Sequence, residues 1–190
     1  MEKSKPAICV FCGSSFGSDP RFAEAAHALG RLIAERGFSL IFGGGGLGLM
    51  GVTATAAHEA GAPVTGVLPE FLRHIEQPPE WEDDIVVIPS LQQRKARMLA
   101  LADAFVVLPG GLGTMDELFE VLTALQLKRI AKPLVLVDVA GFFAPVKILL
   151  GHLVERGFAN SDIAELYALA ATPKDALDII ASRLHRAPGG

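Results

Sequence analysis

Apolar residues occur along this chain in two alternating patterns. Short, mainly apolar runs at 7–11, 38–42, 64–68, 85–88, 104–108 and 133–138 read as buried strands, with a weaker seventh at 166–170. Between them, at 21–36, 49–60, 91–102, 115–129, 142–157 and 174–186, apolar positions return every three or four residues, the period of an amphipathic helix. Asp19 and Pro20 suit the start of the first helix and Gly37 its end. Ser90 and Gln93 form a capping box ahead of the helix at 91–102. Strand–helix alternation with short loops predicts an α/β fold: one Rossmann-like, doubly wound, mostly parallel sheet of six to seven strands with helices on both faces. The expectation is a single domain over 1–190, flexible at 1–6 and 187–190, with the proline- and acid-rich stretch 73–84 as a candidate flap.

If the strands are parallel, three unusual turns share one edge of the sheet: Cys12-Gly13-Ser14-Ser15, the glycine run from Gly43 to Gly51, and 109–114 with Gly110, Gly111 and Gly113. Ligands of such sheets bind outside the carboxyl ends of the strands, near the point where the strand order reverses. The turn at 109–114 leads from a strand into a helix, so its backbone N–H groups and the helix N-terminus attract an anion. Thr114 can cap that helix, and Thr114-x-x-Glu117 is a capping box, which accounts for Glu117 without any chemistry. Yet Asp116 and Glu117 stand in the expected first turn and Glu120 follows on the same face. A carboxylate a few ångströms from a phosphate is repelled by several kcal/mol at an effective dielectric constant of about 20. The acids therefore reach past the anion, to sugar hydroxyls or to a cation, and a ribose 5-phosphate fits.

Arg94 lies one turn into its expected helix on the face of Leu91, Met98 and Leu101, at the end where the dipole opposes positive charge. It calls for an anionic partner, either Glu117 or Asp116 as a structural ion pair or the substrate's phosphate or leaving group. Gly46-Leu47-Gly48-Leu49-Met50-Gly51 also matches G-x-G-x-x-G, with Glu70 about twenty residues on, as a dinucleotide-binding turn would have. Against that, the match follows the second strand rather than the first, and no separate substrate domain remains. Close helix–sheet packing is the simpler use of these glycines.

Composition narrows the classes. A net charge of −4 with no basic run argues against nucleic acid, and no apolar stretch is long enough to span a membrane. The two cysteines, Cys9 and Cys12, form a C-x-x-C without the second pair a zinc ribbon needs and without the helix start a redox motif uses. A reduced, cytoplasmic setting follows. The five histidines show no ligand spacing, so neither a metal nor another cofactor is expected.

Four stretches in order resemble the LONELY GUY family, cytokinin riboside 5'-monophosphate phosphoribohydrolases within a group long labelled possible lysine decarboxylases. They are Cys12-Gly13-Ser14-Ser15, Gly43-Gly44-Gly45 with Gly48-Leu49-Met50-Gly51, Arg94-Lys95 with Met98, and 109–114 with Glu117. The resemblance implies Arg94 and Glu117 as catalytic residues. It implies contacts to substrate and phosphate from Lys95, Gly110, Gly111, Gly113, Thr114, Asp116, Thr123 and a glutamate ahead of Arg94, matched to Glu76; Glu120, on the face of Glu117, and Gly13, Ser14, Gly44, Gly45 and Met98, within the matching stretches, are further binding candidates. It implies a homodimer that takes a nucleoside 5'-monophosphate, breaks its N-glycosidic bond and needs no cofactor. A decarboxylase would need a pyridoxal-phosphate lysine, and Lys95 is the one lysine within a site motif. Asp116, Phe42 and Ala124-Leu125 depart from residues common in the family and leave the N6 substituent open.

Overall fold

The computed structural model describes residues 5–79, 81 and 85–186. Its strands are β1 (Ala7–Phe11), β2 (Ser39–Phe42), β3 (Val64–Pro69), β4 (Ile85–Ile88), β5 (Ala104–Val107), β6 (Leu134–Val137) and β7 (Ala168–Ala170). They form one sheet in the order β4-β3-β2-β1-β5-β6-β7, and every pairing is parallel. The helices are α1 (Pro20–Glu35), α2 (Gly48–Glu59), the short α3 (Arg73–Glu76), α4 (Leu91–Leu101), α5 (Leu112–Gln126), α6 (Ala144–Glu155) and α7 (Pro173–Arg186).

Alternation along the strands divides the core in two. Ile8, Val10, Leu40, Phe42 and Val106 face α1, α2 and α7. Cys9, Phe11, Ile41, Phe105 and Val107 face α4, α5 and α6. Both faces of a central strand are thus dry, which is why these strands read as continuous apolar runs. On the second face the Phe11 and Phe105 rings stack across β1 and β5 with centroids 5.9 Å apart, an arrangement worth roughly 0.5–1.5 kcal/mol beyond the area it buries. Cys9 and Cys12 fall in different halves of the core, and both are free and buried. Burial holds both thiols well above their ordinary range, the reverse of a reactive C-x-x-C.

The chain steps outward from β1 to β4, then crosses back to place β5 on the other side of β1. The order therefore reverses between β1 and β5, and the turns after these two strands open on the same crevice. Gly13 N–H donates to the Pro109 carbonyl at 3.0 Å, tying the two turns together.

Expected ends mostly recur within a residue or two. Asp19 caps α1 by accepting from Arg21 N–H, and Ser90 caps α4 by accepting from Gln93 N–H. The exception matters. Helix α5 starts at Leu112 rather than 115, with Gly111 as its N-cap and no capping side chain. Thr114 therefore lies inside the helix, Glu117 lies in the second turn, and the expected capping box is absent. Thr114 is drawn inward instead: a Cβ on Gly110 would collide with its Oγ1 and with Gly13 N.

Of the candidate flap at 73–84, residues 73–76 form α3, and the Trp81 ring stacks on His58 at 4.3 Å. Residues 80 and 82–84 lie outside the described residues, as do 1–4 and 187–190, where the sequence predicts flexible ends.

Candidate active site

At the reversal point a cavity of about 150 Å³ is lined by Cys12, Gly13, Ser14, Met50, Glu76, Arg94, residues 111–114 and Glu117. Its floor is charged. Arg94 comes from the first turn of α4 and is only 7 % exposed; Glu117 comes from the second turn of α5 and is 9 % exposed. Arg94 Nη2 stands 3.8 Å from Glu117 Oε1, and Arg94 Nη1 stands 3.9 Å from Glu76 Oε1. One guanidinium thus lies between two carboxylates.

Local backbone makes this possible. The Gly43 position abuts the Arg94 guanidinium so closely that any Cβ there would overlap it. A Cβ on Gly45 would stand 3.0 Å from Glu76 Oε2, and Gly46 N–H donates to the Glu76 carbonyl at 2.9 Å. The glycine run after β2 is therefore a cradle for Arg94 and for the turn that carries Glu76. The same contacts correct the dinucleotide reading. Gly46 is covered by the Gln77 backbone and Gly48 by the Ser14–Ser15 backbone, so no phosphate can approach them, and Glu70 is exposed after β3. The glycines serve close packing.

The electrostatics follow from burial. At about 4 Å and an effective dielectric constant near 20, each carboxylate gains roughly 4 kcal/mol from Arg94. Removal from water outweighs this. Desolvation, opposed by Arg94 and reinforced by Glu76, pushes Glu117 up to about 7. Desolvation also raises Glu76 above the usual carboxylate range against the pull of Arg94. Glu76 Oε2 and Arg94 Nε are buried without a hydrogen-bond partner. Buried charged groups with unpaired atoms give up stability at this position.

Above the floor lies the open start of α5. Helical N–H groups at Leu112, Gly113 and Thr114 have no carbonyl one turn back, and no side chain caps them. Nothing lies within 4 Å of where a Cβ of Gly111 or Gly113 would stand. Donors, dipole and free space converge there, as anion binding requires.

Other sequence-predicted residues fall elsewhere. Glu120 does not share Glu117's surroundings: Lys95 Nζ binds Glu120 at 2.6 Å and Asp116 at 2.9 Å outside the cavity. Asp116 is thus the partner of Lys95 and not of Arg94. Asp116, Glu120 and Thr123 line a separate groove of about 440 Å³ with Leu99, Phe119, Ala124 and Leu127. Met98 is fully buried in the core beneath Arg94, and Gly44, with φ +82°, packs on Leu68. Cys12, Met50 and Leu112 also line the cavity, although the sequence pattern assigns them no contact with a ligand. Cys12 and Met50 stand in the glycine-rich stretches that frame it, and that is the signal the sequence offers for them. Leu112, 90 % exposed at the mouth, carries none.

The family profile described as "Possible lysine decarboxylase" matches residues 50–180. The cytokinin riboside 5'-monophosphate phosphoribohydrolase LOG of Oryza sativa subsp. japonica is 39% identical over 168 residues, which is 88% of this chain and 69% of that one. LOG3 of Arabidopsis thaliana is 39% identical over 176 residues, 92% of this chain and 82% of that one. Among solved structures, the molybdenum cofactor binding protein of Rippkaea orientalis shares the fold with a TM-score of 0.75 at 23% identity, covering 97% of this chain and 99% of that one. A Moco carrier protein from Chlamydomonas reinhardtii gives a TM-score of 0.73 at 26% identity, covering 96% and 99%. The chain belongs to the family named for possible lysine decarboxylases. Within that group, the chain belongs to the LOG phosphoribohydrolases, a family of enzymes.

Proposed function

We propose that this protein hydrolyses the N-glycosidic bond of adenosine 5'-monophosphates, N6-substituted ones and AMP among them, releasing free base and ribose 5-phosphate. The observation that carries the reading is the buried Arg94–Glu117 contact directly beneath the uncapped start of α5. The N–H groups at 112–114 receive the 5'-phosphate, which aims the ribose at the floor. Departure of the base leaves an oxocarbenium-like C1', which a buried carboxylate stabilises. Glu117, poised near neutrality, accepts the proton of the attacking water. Arg94 holds Glu117 in place and balances its charge. Glu76, Gly13 and Ser14 complete the wall around the sugar. The working assembly is a cytoplasmic homodimer, which light scattering of the purified protein checks.

Incubating the protein with AMP and with N6-isopentenyladenosine monophosphate, then separating free base from nucleotide, tests the reading. Release of base from neither rejects it. The likeness to the Moco carrier protein of Chlamydomonas reinhardtii supports a second reading, a non-catalytic carrier. Stoichiometric nucleotide binding without base release would favour it.

A further inference from the structure

Glu76 stands beside Arg94, yet the short segment that carries it has little of its own to hold it there. Neither the 3-10 turn at Glu70–Leu72 nor α3 buries a residue, and Phe71 and Ile75 are exposed. A segment that buries no apolar face is not fixed by its own packing. Directly after it, Gln77 takes the left-handed conformation at φ +44°, which a residue other than glycine keeps only where its surroundings impose it.

The restraints on that bend come from the two ends of α2. Ahead of α2, the Gly46 N–H donates to the Glu76 and Gln77 carbonyls at 2.9 and 3.0 Å. In the last turn of α2, the exposed His58 ring lies parallel to Trp81, with centroids 4.3 Å apart and planes inclined by 2°. Trp81 is half-buried and packs against the core on the face covered by α1 and α2. The 12 residues of α2 give it a length of about 18 Å. The four chain steps from Gln77 to Trp81 reach at most about 14 Å, and Pro78 and Pro79 within them have a fixed φ. The indole ring is needed to complete the span, so the strap has little slack.

We infer that the His58–Trp81 stack positions Glu76: it anchors the far end of a proline-stiffened strap whose near end holds Glu76 beside Arg94. His58 and Trp81 are thus positioning residues for a site neither of them lines. The kinetic consequence rests on the hydrolase reading above, whereas the structural one does not.

Hydrogen exchange at the Gly46 amide reads the strap directly, because the Glu76 and Gln77 carbonyls protect that N–H. In His58→Ala it should exchange about tenfold faster, the scale set by one aromatic pair. The Met50 amide, bonded to the Gly13 carbonyl at the same end of α2, should keep its rate. Trp81 is the one tryptophan of the chain, so its emission should move to longer wavelength as the ring gains water. On AMP, His58→Ala should lose about tenfold in kcat, as displaced catalytic geometry does, at a nearly unchanged melting temperature. Added to Glu76→Gln, it should cost nothing further, since it acts through that side chain. His58→Phe, which keeps a flat ring, should restore exchange, emission and kcat. An unchanged Gly46 exchange rate in His58→Ala, or a kcat loss that adds fully to that of Glu76→Gln, overturns the inference and leaves the two rings as surface cover. Failure of the wild type to release base from any nucleotide is a different result: it removes the hydrolase reading, and the exchange measurement still decides the strap.

Discussion

The Arg94 guanidinium and the Glu117 carboxylate stand 3.8 Å apart at the bottom of a cavity, one projecting from the first turn of α4 and the other from the second turn of α5. Neither helix needs this contact for its own termination. Ser90 caps α4, and α5 begins five residues before Glu117 without a capping side chain. Two charges withdrawn from water at a helix–helix seam, too far apart for a hydrogen bond, represent stability given up to hold reactive groups.

That relationship predicts the behaviour of Glu117→Gln. Activity should fall by two to four orders of magnitude in kcat, as for loss of a general base. Stability should move the other way. With Glu117 raised to about 7 from 4.5, the folded chain holds a proton that the unfolded chain releases, so wild-type stability declines as pH rises from about 4.5 to 7. The variant lacks this decline. Its melting temperature should match the wild type near pH 5 and exceed it near pH 8, by an amount worth up to about 3 kcal/mol. A lower melting temperature at pH 8 would contradict this account.

Arg94→Ala should be harmful twice. It leaves Glu76 and Glu117 facing each other without a cation, and breaking a buried pair costs roughly 3–5 kcal/mol when the partner stays charged. The loss should grow with pH as the two carboxyls ionise. Adding Glu117→Gln should restore part of the stability and none of the activity, because the residues act as a unit. Thermal melts and kcat for the three variants across pH 5 to 8 check both halves.

The start of α5 predicts dependence on the 5'-phosphate. Adenosine offers nothing charged to the N–H groups at 112–114, and each lost charge-assisted hydrogen bond costs roughly 1.5–3 kcal/mol. Turnover of adenosine should therefore trail that of AMP by at least about 100-fold in kcat/KM. Comparable rates would show that the helix start is not where substrate is held.

Glycines at the site should separate by what surrounds them. Gly111 and Gly113 have open space where an added methyl would stand, and Gly111 has a φ of −90° that any residue adopts. Alanine at either should leave the melting temperature within a few degrees and raise KM, since the methyl occupies the phosphate's approach. Gly43→Ala should instead displace Arg94 and lower kcat. Similar kinetic profiles for all three variants would refute the distinction.

The strands, their burial on both faces and the caps of α1 and α4 are legible in the sequence because they rest on local period and local hydrogen bonds. The start of α5 is not, because Gly110, Gly111 and Gly113 around Leu112 read as a turn by propensity. In the fold, Gly110 packs so tightly on Thr114 that the threonine turns inward, and the helix begins before it. Spacing alone puts Glu117 and Glu120 on one face. They part because Lys95, on another helix, takes Glu120 outward while Arg94 takes Glu117 inward. Glu76 is reached only through resemblance, since its segment has no period of its own.

The sequence by itself thus determined the elements, because they depend on neighbours within a few residues, and through their strand–helix alternation a mostly parallel sheet with its glycine turns on one edge. Only the tertiary structure decided which charges meet. Arg94 selects Glu117 and Glu76 over the nearby Asp116 because the Gly43 turn leaves room for its guanidinium and α5 is rotated to bury one acid and expose another. Desolvation then sets how those acids titrate, and burial is a property of the packed molecule that no stretch of sequence carries alone.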